Sequence, residues 1–326
     1  MFTGAMVGMD PTEVSSVFGQ LVGDTGTVIL WHPLFMGVTM AIVCFGVIKG
    51  IERTVSILMP LFFLMLVGMV IYAGLTADMG AAINYLFAPD FSKITAQTFL
   101  EALGQAFFSM SVGSAIMITY GSYLSRDDNL PQSAGIIAGS DTLVAIIAGL
   151  AIFPFVFAFG LSPDAGPGLF FQTLPAAFSQ MPGGQWVGAA FFFLALIAAL
   201  TSSISLLQVI VAFGEEHTDF GRVGSALFFG AIIYMFGVAA AFSGDFFDIL
   251  DKVSGTILLP LGGLLIALFT GWIVSKALMQ KELPHAGEKF FAYWRFTIRW
   301  LAPVAVGLII VTGLASMFGI SLPFIG

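Results

Sequence analysis

Eight long apolar stretches divide this 326-residue chain, at 28–48, 54–75, 99–124, 134–160, 186–213, 223–242, 253–275 and 300–320, and none of its 11 lysines and arginines lies inside one. A hydrocarbon core about 30 Å thick takes roughly 20 apolar residues as helix, and every stretch reaches that length. A chain in lipid must satisfy its backbone polar groups internally, which leaves helices or a closed barrel. The apolar runs are continuous rather than alternating every second residue, and that selects helices. With 58% hydrophobic and 9% charged residues, the composition excludes a soluble domain. The chain reads as an all-α polytopic membrane protein of eight transmembrane helices.

The cations orient it. Lys49, Arg53, Arg126, Arg222, Lys276, Lys281, Lys289, Arg295 and Arg299 fall on one side of the alternating path, and only Lys93 and Lys252 fall on the other. Cytoplasmic loops carry such an excess. Residues 1–27 then lie outside, with Asp10, Glu13 and Asp24 and no positive charge, and the C-terminus lies outside as well. Met1 is not followed by a basic segment and an apolar one, so no secretory signal accounts for that placement. An odd number of preceding helices would account for it, so the chain reads as a fragment. The net charge of −8 is spread over loops on both faces without a basic stripe, which argues against nucleic acid as a partner. The single cysteine, Cys44, excludes a disulfide framework and a thiolate metal site.

Polar residues inside the spans mark candidate sites. The third stretch holds Phe107-Phe108-Ser109-Met110-Ser111-Val112-Gly113-Ser114-Ala115 at its middle. Serines and glycine hold a regular helix poorly at mid-depth, although small residues also serve helix–helix contacts. Asp141 is the one acid well inside an apolar stretch, about seven residues or 10 Å along the helix from Ala134. An intramembrane carboxylate costs about 2.5–3.5 kcal/mol to insert and is a functional candidate by default; an Asp reaching cytoplasmic water is the plainer reading. The fifth stretch carries Thr201-Ser202-Ser203, whose hydroxyls can bond back to their own helix. Two hydroxyl clusters and one buried acid in different spans suggest a cation site built from oxygen atoms. Asp245, Asp248 and Asp251, at i, i+3 spacing in the sixth loop, gather acids at the outer mouth. Pro60, ten residues after Gly50, weakens the second span, as an ordinary transmembrane proline also would. Short helices are expected in the outer loops, near 84–90 and over 169–180.

Four stretches resemble the neurotransmitter:sodium symporter family, whose bacterial members have the leucine-transporter fold: Lys49-Gly50-Ile51-Glu52-Arg53, Phe107–Tyr123, Thr173-Leu174-Pro175-Ala176-Ala177-Phe178 and Leu200-Thr201-Ser202-Ser203-Ile204. They occur in family order and cover nearly the whole chain. The resemblance implies a partial inverted-repeat fold in which the eight spans are the family's helices four to eleven. Residues 28–75 would then be the last two helices of the first repeat. Residues 99–275 would be the complete second repeat, with the extracellular loop 161–185, and 276–326 a cytoplasmic loop and final helix. The family's first three helices, which supply half of both sodium sites, would be absent.

The resemblance also implies roles. Phe108, Ser109, Ser111 and Ser114 match the substrate pocket, with Ser114 standing where an aromatic or bulky apolar residue is common, and Ser202 and Leu206 join them from the fifth span. Ser109 and Asp141 match the first sodium site; Ala198 (through its carbonyl), Thr201 and Ser202 match the second. Ser122, Tyr123 and Glu216 resemble the cytoplasmic gate, Asp248 and Asp251 the outer one, and Gly50 with Pro60 a helix-breaking spacing that admits water to the second sodium. Asp141 can supply the fixed anion that chloride supplies in some family members, so chloride is not expected to be required, and proton exchange through Asp141 is conceivable.

The implied activity is sodium-coupled symport of an amino acid across the plasma membrane by alternating access, with sodium as coupling ion and no cofactor. The sequence leaves open which amino acid, the sodium stoichiometry and whether the chain forms a homo-oligomer. The alternative is a non-transporting eight-helix homologue with a binding or regulatory role. An intramembrane enzyme is disfavoured: aspartyl chemistry needs two buried carboxylates, and none of His32, His217 and His285 lies deep enough to act as a serine's base.

Overall fold

A computed structural model describes residues 6, 8–125, 127–161, 163, 168–317 and 320, with the side chains of 11, 12 and 15 left undescribed. Met1, the cytoplasmic-side cation Arg126, part of the loop 161–185 and the end of the last apolar stretch lie outside these residues. Among the described residues, seven helices of 20 to 34 residues are long and apolar enough to cross a membrane, over Thr25–Cys44, Val47–Thr76, Leu130–Ala158, Gly184–His217, Gly221–Phe242, Gly244–Ile273 and Glu288–Met317. Their outward faces carry large apolar side chains, as on Val47–Thr76, where Ile57, Leu64, Ile71 and Leu75 are each at least 60% exposed. Spacings of seven, seven and four put these four on one helical face, which suits lipid and not water. This is an integral membrane protein.

The third stretch, 99–124, is the exception. Helix α5 (Ala96–Ser109) stops mid-span and α6 (Ile116–Gly121) resumes after one 3₁₀ turn at Val112–Ser114. Of the two readings open for the Ser/Gly cluster, the helix break is the one adopted.

The chain forms two compact units. One comprises 1–89 and 143–243, the other 90–142 and 244–326. In the first, α1 (Pro11–Gly23) and α2 (Thr25–Cys44) lead through a π-helical turn at Val47–Glu52 into α3 (Arg53–Thr76) and the short α4 (Met79–Phe87). The later part of α7 (Leu130–Ala158), α8 (Leu174–Ser179), α9 (Gly184–His217) and α10 (Gly221–Phe242) complete it. In the second unit lie α5, α6, the start of α7, α11 (Gly244–Lys252), α12 (Leu259–Leu268), α13 (Lys276–Glu282), α14 (Glu288–Phe296) and α15 (Ala302–Met317).

Three features differ from the sequence reading. The segment 161–185 reads as an outer loop, yet α8 within it is buried at every residue and lies in the main core of its unit. Leu174 and Phe178 are wholly enclosed there with Phe155 and Phe191. Leu-Pro-Ala-Ala-Phe is apolar on every side of a helix, so it goes where a cover exists, and α1 and α9 supply it. Asp245, Asp248 and Asp251 lie not in a loop but on α11, which runs on through a π-helical turn at Val253–Leu258 into α12. Finally, α3 passes unbroken through Pro60, while Gly50 lies in the preceding π-helical turn. The stretch from Gly50 to Pro60 is helical throughout in this conformation. Gly50 serves a close approach, since a Cβ would run into the carbonyl oxygen of Ile42 on α2.

Candidate ion and substrate site

Each half of the broken helix is regular, and the interruption is held by its own backbone. Ser111 (φ 51°) and Ala115 (φ 61°) flank it in the left-handed region. That region costs an L-residue about 1–2 kcal/mol and persists where the surroundings enforce it. The Ser114 hydroxyl donates to the Ser111 carbonyl at 2.9 Å and closes the turn. The enforcing element is α12. A Cβ on Gly113 would collide with the carbonyl oxygen of Leu259, and one on Gly262 with that of Gly113. Backbone thus lies on backbone, which only glycine allows.

At the end of α5, Ser109 donates to a carboxylate oxygen of Asp141 at 2.6 Å, within the range of a charge-assisted hydrogen bond. The last carbonyls of a helix carry partial negative charge, and α5 ends at Ser109. A carboxylate beside that end concentrates negative potential at mid-span. Both side chains offer oxygen donors, the type that hard cations take. Ser109 and Asp141, which the resemblance assigns to one sodium site, are hydrogen-bonded to each other.

The other hydroxyl cluster is closed on itself. Thr201 Oγ1 donates to the carbonyls of Ile197 and Ala198 at 3.1 and 3.0 Å, and Ser203 donates to Leu200 at 2.9 Å. The Ser203 hydroxyl also lies 2.9 Å from that of Thr39 on α2. Ala198 O and Thr201 are therefore adjacent but occupied by each other, while Ser202 is exposed on the same helix. Among the substrate candidates, Phe108, Ser109, Ser111 and Ser114 belong to one unit, Ser202 and Leu206 to the other. Phe108 borders a cavity of about 640 Å³ between α5, α12 and α15. Glu101 also lines that cavity and accepts a hydrogen bond from Gln97 at 2.8 Å. Of the gating candidates, Ser122 donates to the Thr119 carbonyl at 2.7 Å, and Glu216 is exposed near the end of α9. Asp248 and Asp251 are exposed on α11, and Tyr123 is exposed just beyond α6.

One polar cluster escaped the sequence reading. Arg222, at the start of α10, donates to the Val43 carbonyl at 2.8 Å, to Gln208 Oε1, and to Glu215 at 3.1 Å. It ties the α9–α10 turn to the end of α2, where the chain turns at Gly46 (φ 95°). Gln208 is fully buried, and a lone amide in an apolar run was the available signal, because a buried amide needs partners. Arg222→Met removes a charged donor from Gln208 Oε1 and from the Val43 carbonyl, which keeps the Gly46 N–H. Its expected cost is about 1.5–3 kcal/mol, the range for hydrogen bonds to a charged group. Glu215→Gln removes only a half-exposed ion pair and should cost about 1 kcal/mol or less. Thermal unfolding of the two variants in detergent checks the order; equal shifts would contradict it.

A discontinuous spanning helix with a carboxylate at the break is an arrangement that secondary carriers use. The comparisons narrow the class. Residues 13–322 match the pattern of the sodium:neurotransmitter symporter family. An uncharacterised sodium-dependent transporter of Bacillus subtilis, YhdH, is 34% identical over 93% of this chain and 70% of its own length. A second, from Haemophilus influenzae, is 37% identical over 88% of this chain and 65% of its own. The crystal structure of MhsT in complex with L-phenylalanine is 38% identical and superposes with a TM-score of 0.82, covering 91% of this chain and 70% of that one. The chain belongs to the sodium:neurotransmitter symporter family and has the leucine-transporter-type fold of MhsT. It spans about two thirds of the length of these relatives.

Proposed function

We propose that this chain carries the Ser109–Asp141 half of the ion and substrate machinery of a sodium-coupled amino-acid symporter of the plasma membrane. The observation that supports it most is the carboxylate hydrogen-bonded to the end of a half-helix at mid-span. Sodium held by Ser109 and Asp141 would fix the broken segment. Phe108, Ser111 and Ser114 on that segment would meet the substrate, so that each ligand favours the other's site. Ser202 and Leu206 are assigned to the substrate by the family resemblance as well. Ala198, Thr201 and Ser202 would hold a second sodium once the Thr201 hydroxyl turns from its own carbonyls. Ser122, Tyr123 and Glu216 would serve the cytoplasmic gate, and Asp248 and Asp251 the outer one.

The same reading takes 28–75 as the end of a first repeat and 99–275 as the second, with both ends of the chain outside. MhsT was crystallised with L-phenylalanine, which makes that amino acid the first substrate to try. Ser114, polar where a bulky residue is common, suits a larger or more polar side chain as well. Proteoliposomes holding the full-length gene product are expected to accumulate an amino acid when sodium is high outside. No accumulation of any common amino acid under a sodium gradient would replace this reading with that of a non-transporting homologue.

A further inference from the structure

We propose that the cavity between α13 and the α14–α15 junction binds the phosphate of an anionic phospholipid headgroup. The cavity measures about 500 Å³ and its lining includes Lys276, Arg295, Arg299 and Trp300, with Glu288 as its one acid against three cations. Among the described residues none of the three cations is in an ion pair. Arg295 reaches only the weak acceptor Met279 Sδ, at 3.3 Å. Arg299 stacks its guanidinium 4.2 Å from the centre of the Trp272 ring, and its Nε is buried with no hydrogen-bond partner. Buried donors are rarely left unpaired, and an anion entering beside these cations would satisfy Arg299 Nε.

The cavity is held open by the fold. Two π-helical turns, Phe269–Ile273 and Thr297–Leu301, cross where a Cβ on Gly271 would come within 2.9 Å of Arg299 Cα. The Trp272 indole donates to the Arg299 carbonyl at 3.1 Å and locks the crossing.

Depth and surroundings choose lipid over a free anion. Trp272 and Trp300 pack edge to face at 4.8 Å and are half exposed, as tryptophans at the headgroup level are. Beyond the cavity, Leu301, Val304, Leu308 and Val311 form an exposed apolar stripe along one face of the last helix. A lipid with its phosphate on the arginines would lay its acyl chains there. The charge asymmetry places this end of the helices at the cytoplasmic leaflet, whose anionic lipids attract clustered Lys and Arg. A choline headgroup would bring a cation to three cations, so zwitterionic lipid is disfavoured. The site stands independently of whether the protein transports.

Native mass spectrometry of the full-length gene product, with chain-matched phosphatidylglycerol or phosphatidylcholine, tests it. Phosphatidylglycerol should be retained preferentially, and excess inorganic phosphate should not displace it. Lys276→Gln and Arg295→Gln should each weaken retention about fivefold, the effect of roughly one juxtamembrane charge. Lys289→Gln, exposed and outside the cavity lining, should leave it unchanged. Arg299→Gln also removes the Trp272 stack, so the two other variants carry the test. Equal retention of both lipids, or unchanged retention in both variants, overturns the proposal. Displacement by phosphate also overturns it and assigns the cavity to a free anion.

Discussion

Asp141→Asn is expected to raise the sodium concentration for half-maximal uptake by about ten- to a hundredfold in the full-length gene product, with little loss of folded protein. A unit charge about 4 Å from sodium contributes on the order of 4 kcal/mol at an effective dielectric of 20, or about three decades of affinity. Part of that is offset, because a neutral amide is far easier to bury than a carboxylate. Asn keeps the volume and can still accept from Ser109, which separates the loss of charge from the loss of the hydrogen bond. If the same carboxylate supplies the fixed anion, replacing chloride by gluconate should leave uptake by the native protein unchanged. Uptake that needs chloride, or an Asp141→Asn variant with unaltered sodium dependence, would remove Asp141 from the site. Initial rates of amino-acid uptake across a sodium series measure both.

Gly113→Ala is expected to cost about 3 kcal/mol, the upper end for overpacking, because the added methyl meets backbone on α12 rather than a side chain that can rotate away. If half of that falls on the conformation competent to bind, sodium and substrate affinities drop about tenfold. Ala115→Gly, two residues on, is the contrasting change. It relieves a left-handed residue and adds unfolded-state entropy, and should lie within about 1 kcal/mol of the native protein. Thermal unfolding together with sodium-dependent ligand binding distinguishes them. A Gly113→Ala protein as stable and active as the native one would show that the break is not held against α12.

The family, the helical class and most spans were legible because lipid imposes two strong and local rules, apolar length and excluded charge. Single residues inside spans were legible for the same reason: Asp141 and the serines at 109–114 stand out where polar atoms are expensive. What a polar residue does with its neighbours was less so. Thr201 and Ser203 could be read as ligands or as hydroxyls bonded to their own helix, and the helix supplies carbonyls for the second reading at every turn. Gln208 passed unnoticed because its partners, Arg222 among them, come from another turn and another helix.

From the sequence alone came the membrane class, the positive-inside asymmetry, the family resemblance and the suspicion that the third stretch is weak. Its patterns are local, and the cost of a charge or a broken helix in lipid is paid residue by residue. Only the tertiary structure decided that the stretch does break, and that Gly113 on Leu259 and Gly262 holds it so. It also decided that Ser109 meets Asp141, that the apparent loop around α8 is core, and that three cations share a cavity. These depend on which backbones approach which, and close approach is a property of pairs of segments far apart in sequence.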